Sequence, residues 1–264
     1  MTLVDTHCHL NIMQAESNLE EIIENAIQND IDRIMVPGID LESSLEAIKI
    51  AEKFEIVYAA IGYHPNHVNS WNENSFSILQ DLSQHPKVKA IGEIGLDFYR
   101  DHSPKSIQLH AFTEQLKLSE STGLPVIIHS RDAFTEIFDI LIKWQQTRNS
   151  TEPDRYLGIL HAFEGNLEQA HLITKHRFLL GIGGPITYKN SYDTQEIAMK
   201  IPIESILLET DSPFLSPHPR RGKTNEPANI KFIAEKIAHL REKPLKWVSE
   251  VTSKNANKIF AWEQ

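Results

Sequence analysis

The sequence predicts an α/β protein folded as a TIM-type (β/α)8 barrel. Short apolar strands alternate with amphipathic helices along the chain, eight segments read as strands, and isolated polar residues close several of them on the C-terminal side. Alternation of this kind implies parallel strands with right-handed crossovers, and a barrel of this type gathers its site at the C-terminal strand ends.

The strands are expected at 2–7, 31–37, 55–62, 88–94, 124–129, 156–162, 178–183 and 205–210, each rich in Ile, Val or Leu and too short for a core helix. Between them, apolar residues at three- and four-residue spacing predict helices at 17–29, 41–53, 104–122, 132–146 and 228–241. Ser103-Pro104 reads as a cap before a first-turn proline, and Gly123 with Pro125 stops that helix. A doubly wound open sheet is the competing arrangement, but the first strand is not followed by a Gly-rich phosphate turn. Thr147 to Asp154 reads as an exposed helix-to-strand loop, so residues 1–264 are expected to form one barrel domain.

Composition narrows the class. Hydrophobic residues at 41% support a large core, and charged residues at 23% suit a soluble protein. No apolar run approaches the roughly 20 residues that span a bilayer. The sequence starts directly on strand-forming residues without a basic, apolar leader, and Cys8 is its only cysteine, so a reducing, cytoplasmic setting and no intrachain disulfide are expected. Cys8 itself reads as a small buried hydrophobe. A monomer is expected. The formal charge of −10 argues against a surface coated for polyanions, so phosphate would have to be met locally.

Val4 to His9 carries the sharpest signal. Side chains alternate across a strand, so His7 and His9 share one face while Cys8 takes the other. Glu93, His129, His161 and Asp211 close later strands, and His64 follows the third. Unpaired polar groups are costly to bury, so six convergent ligands, His7, His9, Glu93, His129, His161 and Asp211, point to metal. Mixed imidazole and carboxylate suits Zn, Mn or another divalent ion such as Mg, and argues against an all-oxygen calcium site. Six exceed the ligand set of one catalytic zinc, so two metals sharing a carboxylate are expected, with Glu93 as the bridge.

An ordered set of motifs spans nearly the whole chain: DTHCHL at 5–10, GYHP at 62–65, GEIGLDF at 92–98, IHSRDA at 128–133, HAF at 161–163, ETDSPFL at 209–215 and RGKTNEP at 221–227. With these the sequence resembles the TatD-type metal-dependent deoxyribonucleases of the metal-dependent hydrolase superfamily. The resemblance implies that His7, His9 and Asp211 hold one metal, His129 and His161 the other, with Glu93 between them. Asn66 stands where many relatives carry histidine, and Glu164 where a small Ser is frequent; both departures bear on substrate preference.

Other positions are weighed singly. The resemblance supports His64 in the substrate pocket, Asp5 and Asp97 are read as groups that could orient imidazoles, and Glu209, two before Asp211 on the inward face, as a group behind the ligands, a proton shuttle or a buried structural carboxylate. The remaining histidines, His67 among them, read as surface residues. Arg131 and the Arg220, Arg221 and Lys223 cluster after the last strand read as phosphate contacts, with Tyr188 the preferred base-stacking ring over Phe98, Tyr99 and Phe163. The expected function is two-metal hydrolysis of phosphodiester bonds in DNA, 3′-5′ exonuclease-like on single-stranded or exposed ends, with Glu93, Asp211 and His64 catalytic and Asp211 a candidate proton acceptor. An amide or ester hydrolase, such as an aminoacyl-tRNA deacylase, is the alternative, and a non-catalytic metal- or nucleic-acid-binding scaffold the lesser one.

Overall fold

The computed structural model describes residues 2–13, 18–100, 102–147 and 155–262. β1 (Leu3–Asp5), β2 (Ile31–Pro37), β3 (Val57–Ile61), β4 (Val88–Asp97), β5 (Val126–Arg131), β6 (Gly158–Leu160), β7 (Phe178–Ile182) and β8 (Ile206–Leu208) form one sheet in chain order, every neighbouring pair parallel. The two ends of the sheet meet. The Thr6 amide donates to Leu208 O at 3.0 Å, the Asp211 amide to His7 O at 2.8 Å, and Cys8 forms a parallel bridge with Ser212. This is the expected barrel.

The helices are α1 (Leu10–Met13), α2 (Leu19–Gln28), α3 (Leu41–Lys53), α4 (Ser75–Leu82), α5 (Lys105–Thr122), α6 (Phe134–Thr147), α7 (Leu167–Lys175), α8 (Tyr192–Lys200), α9 (Ile230–Leu240) and α10 (Leu245–Phe260). Those expected from spacing agree within two residues at each end, and α3 agrees at both. α10 is not among them; its apolar stripe, Val248, Ala256, Ile259 and Phe260, is interrupted by buried Ser249, Thr252 and Asn255. Ser103 does not cap α5. Pro104 occupies the cap position, and Ser103 instead accepts the Gln108 side-chain amide on its carbonyl at 2.8 Å. The C-terminal stop is as read, with Gly123 left-handed at φ 72°. The stretch from 148 to 154, read as a loop, lies outside the described residues.

One residue from each strand fills the barrel: Val4, Met35, Ala60, Ala90, Ile127, Ile159, Leu179 and Leu207 form one buried cluster with Ala256, Ile259, Phe260 and Trp262. The end of α10 therefore stoppers the barrel at the N-terminal ends of the strands. Positions two further along the strand share the inward face, which sends His129, His161 and Glu209 to the opposite, open end. Apolar side chains between the strands and the helix ring make the larger outer core.

β4 departs from this alternation. Against β5 it pairs Ile91 with Val126 but Ile94 with Ile128, one residue more on β4 than on its partner. Such a bulge re-aims a side chain. Ala90 and Glu93 both face the barrel axis as a result. Gly95, at φ 139°, tolerates the following turn of the strand, and a Cβ there would lie 2.1 Å from His129 O.

Asp40 starts α3 with a reciprocal cap: its carboxylate accepts the Ser43 amide at 2.8 Å while the Ser43 hydroxyl accepts the Asp40 amide at 2.9 Å. The His67 ring beside it, together with the Ser43 side chain and amide, holds the Asp40 carboxyl well below its ordinary 3.8, against the opposing effect of partial burial. A carboxyl depressed on folding stabilises above its unfolded pKa and loses that effect as pH falls. Asp40→Ala is therefore expected to cost about 1 kcal/mol near neutral pH, and the gap from wild type should narrow below the ordinary carboxylate range. Melting curves of both proteins at about pH 7 and about pH 3 check this; an undiminished gap at the lower pH would assign the loss to something other than the ionised cap.

Candidate metal centre and cleft

β1 ends at Asp5, short of the expected boundary, so His7 and His9 stand on irregular backbone just past it. They still share a side, because Cys8 between them is tied into the bridge to Ser212 and buried in the outer core. Their Nε2 atoms are 3.2 Å apart. Glu93 Oε2 lies 3.5 Å from His7 Nε2 and 3.6 Å from His9 Nε2, and Asp211 Oδ1 lies 3.8 Å and 3.5 Å from the same atoms. The other oxygen of Glu93 faces a different set. Oε1 is 3.0 Å from His129 Nδ1, 3.0 Å from His161 Nε2 and 3.5 Å from His64 Nε2, and the His129 and His161 nitrogens are 3.4 Å apart.

These separations fit cation binding. Atoms held about 2.0–2.2 Å from one ion in tetrahedral or octahedral array stand roughly 3.0–3.5 Å from one another. Charge points the same way. Glu93, Asp97 and Glu209 are almost fully buried, Asp211 lies beside them, and among the described residues their ion-pair partners are histidines. His7, His9 and Asp211 form one group with metal-ligand spacing; His64, Glu93 and His129 form another, and His7, His161 and Glu209 a third.

The electrostatics are those of a buried anionic site. Burial alone would raise the Glu93 carboxyl, but the charges of His161 and His64 and the hydrogen bonds of His129 and His161 bring it well below its usual range. Burial likewise opposes the ionised form of Asp211, and the His9 hydrogen bond with the charges of His161 and His7 outweighs it. His161 is driven well above its ordinary value because Glu93 and Glu209 overcome desolvation. His64 goes the other way, burial holding it well below.

The orienting groups divide differently from the sequence reading. Asp97 Oδ2 lies 3.3 Å from His129 Nε2 and accepts the Asn66 side-chain amide at 2.9 Å. Glu209 Oε1 lies 3.6 Å from His161 Nδ1 and accepts the Ala162 amide. Both face the ring nitrogen remote from Glu93. Asp5 touches no imidazole nitrogen. It accepts the Thr210 amide at 2.9 Å, the Thr210 hydroxyl at 2.5 Å and the His7 amide at 3.3 Å, so it ties the end of β1 to the segment after β8. Burial pushes its carboxyl up to about 8, against the Thr210 and His7 hydrogen bonds.

A cleft of about 510 Å³ opens over these residues, in the range of small-ligand sites. His64 and Arg131 line it; Tyr188, Arg221 and Lys223 do not. Arg221 packs its guanidinium 4.4 Å from the Tyr188 ring centre, and the Tyr188 hydroxyl donates to Ser216 O at 2.9 Å, so the pair braces the loop after β8 beside the cleft. The lining adds residues that the sequence reading passed over: His67, Arg100, Phe214, Ile12 and Ile39. His67 had the spacing of a surface residue, and only the convergence of loops after β2 and β3 brings it to the rim beside Asp40.

A parallel eight-stranded barrel with imidazoles and carboxylates clustered at its C-terminal strand ends defines a metal-dependent hydrolase. The chain belongs to the TatD related DNase family, whose model matches residues 4–261. It is 41% identical over 258 residues to YabD of Bacillus subtilis (strain 168), an uncharacterized metal-dependent hydrolase, covering 98% of each chain. It is 31% identical over 264 residues to the 3′-5′ ssDNA/RNA exonuclease TatD of Cronobacter sakazakii (strain ATCC BAA-894), covering 98% of this chain and 97% of that one. The crystal structure of YJJV, a TatD homologue from Escherichia coli K12, superposes with a TM-score of 0.90 at 30% identity and 98% coverage of both chains.

Gly181 makes the space in which Glu209 sits, since a Cβ there would come within 2.1 Å of Glu209 Oε2. Gly181→Ala should destabilise by about 1–3 kcal/mol through overpacking, and Glu209→Ala should relieve most of that cost when the two are combined. Denaturant titration of both single variants and the double variant measures the coupling. Simple additivity would mean that Gly181 is required for some other reason.

Proposed function

We propose that the protein is a two-metal phosphodiesterase acting on DNA, from single-stranded or exposed 3′ ends. The observation that carries this reading is the division of Glu93, one carboxylate oxygen toward His7 and His9, the other toward His129 and His161. His7, His9 and Asp211 would hold one cation and His129 and His161 the second, with Glu93 placed to serve both. When bound, the cations acidify water and stabilise negative charge on phosphoryl oxygens and the leaving group.

The chain's own groups set up that chemistry. Asp97 accepts the Nε2 proton of His129 and so keeps the Nδ1 lone pair turned inward; Glu209, 3.6 Å from His161 Nδ1, places a negative charge on the outer side of that ring. His64 is different. Its Nδ1 accepts the Asn66 amide at 3.1 Å, which places the proton of the neutral ring on Nε2, facing the centre. His64 thus donates to a substrate oxygen and does not serve as a ligand. Asp211, held ionised, suits ligation better than proton acceptance. Arg131 and Arg100 at the cleft wall meet phosphate, which favours a phosphate-bearing substrate over an aminoacyl ester. The exonuclease name of the Cronobacter relative supports nucleic acid as the polymer.

Metal-loaded protein assayed on single-stranded DNA, duplex DNA, RNA and an aminoacyl ester tests the reading, with turnover of the ester alone counting against it. Glu93→Ala should abolish turnover and lower occupancy at both positions, whereas His129→Ala should chiefly empty one. Two full equivalents of metal in the Glu93 variant would remove the bridge. Chelation should abolish activity and leave the circular-dichroism signal in place, because the barrel core is built from apolar residues below the centre.

The cations can be ranked. Arg131→Ala should reduce kcat/KM on oligonucleotides by about tenfold or more, roughly 1.4 kcal/mol of transition-state binding. The Arg221→Ala, Lys223→Ala pair should reduce it less, since neither residue lines the cleft. Steady-state kinetics of both variants decides the order, and a larger loss from the loop pair would move the phosphate path onto the loop.

A further inference from the structure

The walls of the cleft are chemically unlike. Strands β8, β1 and β2 are consecutive around the barrel, and the segments that follow them contribute Phe214, Leu215, Ile12 and Ile39. The adjacent β4 and β5 contribute Arg100 and Arg131. A ligand recognised by phosphate alone needs the cationic wall and gains nothing from the apolar one. Phe214 is 48% exposed although it adjoins the buried centre, its ring set edgewise to His9 at 6.1 Å and 69°.

Phe214 is also held in place. Its amide donates to Asp211 O at 2.8 Å, and its carbonyl accepts the side chain of buried Asn225 at 2.7 Å, which also bonds Thr210 O at 2.9 Å. The Ser216 hydroxyl donates to Lys223 O at 2.5 Å across the same loop. An aromatic ring presented on fixed backbone beside a reaction centre loses little entropy when a planar group stacks on it.

We propose that Phe214, on a wall that also carries Ile12 and Ile39, is the stacking surface for the nucleobase of the nucleotide being cleaved, with its phosphate turned toward Arg100 and Arg131. This rests on the phosphodiesterase reading above and adds to it which part of the nucleotide faces which wall. The stacked base must have its π-face free of stacked neighbours, so the wall favours a base splayed out of a helical stack, as single-stranded ends allow. Recognition through a π-face makes the preference tolerant of base identity.

The test uses metal-loaded wild type, Phe214→Ala, Phe214→Leu and Phe214→Trp on two single-stranded oligonucleotides, one intact and one with abasic residues at its last two 3′ positions. Wild type and Phe214→Trp should prefer the intact end by about tenfold or more in kcat/KM, while Phe214→Ala and Phe214→Leu should lose that preference. Metal content and melting temperature of each variant separate loss of stacking from loss of the site. A terminal 2-aminopurine, its fluorescence followed before turnover, should be quenched by wild type and Phe214→Trp only. If wild type cleaves both ends and Phe214→Leu keeps the wild-type preference for the intact one, the stacking wall is overturned while the nuclease reading stands. If loaded wild type cleaves neither oligonucleotide, the nuclease reading itself falls, and the wall with it.

Discussion

Glu93 is the residue around which the open end of the barrel is arranged. It is an ionised carboxylate at 3% exposure, and a charge so buried is tolerated only where oppositely charged or hydrogen-bonding groups surround it. Three strands and the loop after β3 bring such groups: His7 and His9 past β1, His64, His129 on β5 and His161 past β6. The extra residue in β4 is what delivers the carboxylate. Strict alternation from Ala90 would turn position 92 inward, where Gly92 has no side chain, and would leave Glu93 facing the helix layer. The bulge, and the close approach of β4 to β5 that Gly95 permits, are thus parts of one device.

What the sequence made legible follows from range. The period of two along a strand is local, so the inward face of His129 could be read directly, and His7, His9 and His161, just past their strands, keep that period into the first residues of the loops. The strand count was legible for the same reason, each segment carrying its own apolar run. The rest depended on contacts distant in sequence. Asp5 looks like an imidazole partner because it stands two residues from His7, yet its carboxylate reaches Thr210, 205 positions away. Phe214 and Arg100 lie in loops with no periodicity, and only barrel closure brings them to one cleft. Tyr188 and Arg221, 33 positions apart, each have the chemistry of a substrate contact, and the fold packs them against one another beside the cleft.

The acidity of the chain is compatible with a phosphate-bearing substrate if attraction is confined to the cleft. At −10 overall, the far field repels a polyanion, and steering over a long range is weak at physiological salt, where screening acts within about 8 Å. Cations bound at the centre, with Arg100 and Arg131 beside it, would act within that distance. Such a surface disfavours long duplex lying across the molecule and favours an end inserted into the mouth, which is the geometry an exonuclease requires.

Asn66 joins two parts of the site that the chain order keeps apart. Its side-chain amide donates to Asp97 Oδ2, the oxygen that also faces His129, while its backbone amide donates to His64 Nδ1. Asp97 is fixed in turn by the Tyr99 and Arg100 amides on its other oxygen, at 3.0 Å and 2.9 Å. Burial works against its charge, and the hydrogen bonds from His129, the Arg100 amide and Asn66 keep it ionised well below its usual range. The tautomer of His129, the tautomer of His64 and the backbone that carries Arg100 are therefore set by one connected group. Changing the Asn66 side chain removes one donor to Asp97 Oδ2 and leaves the backbone amide that fixes His64, so the residue at this position is placed to tune the orientation of His129 through Asp97.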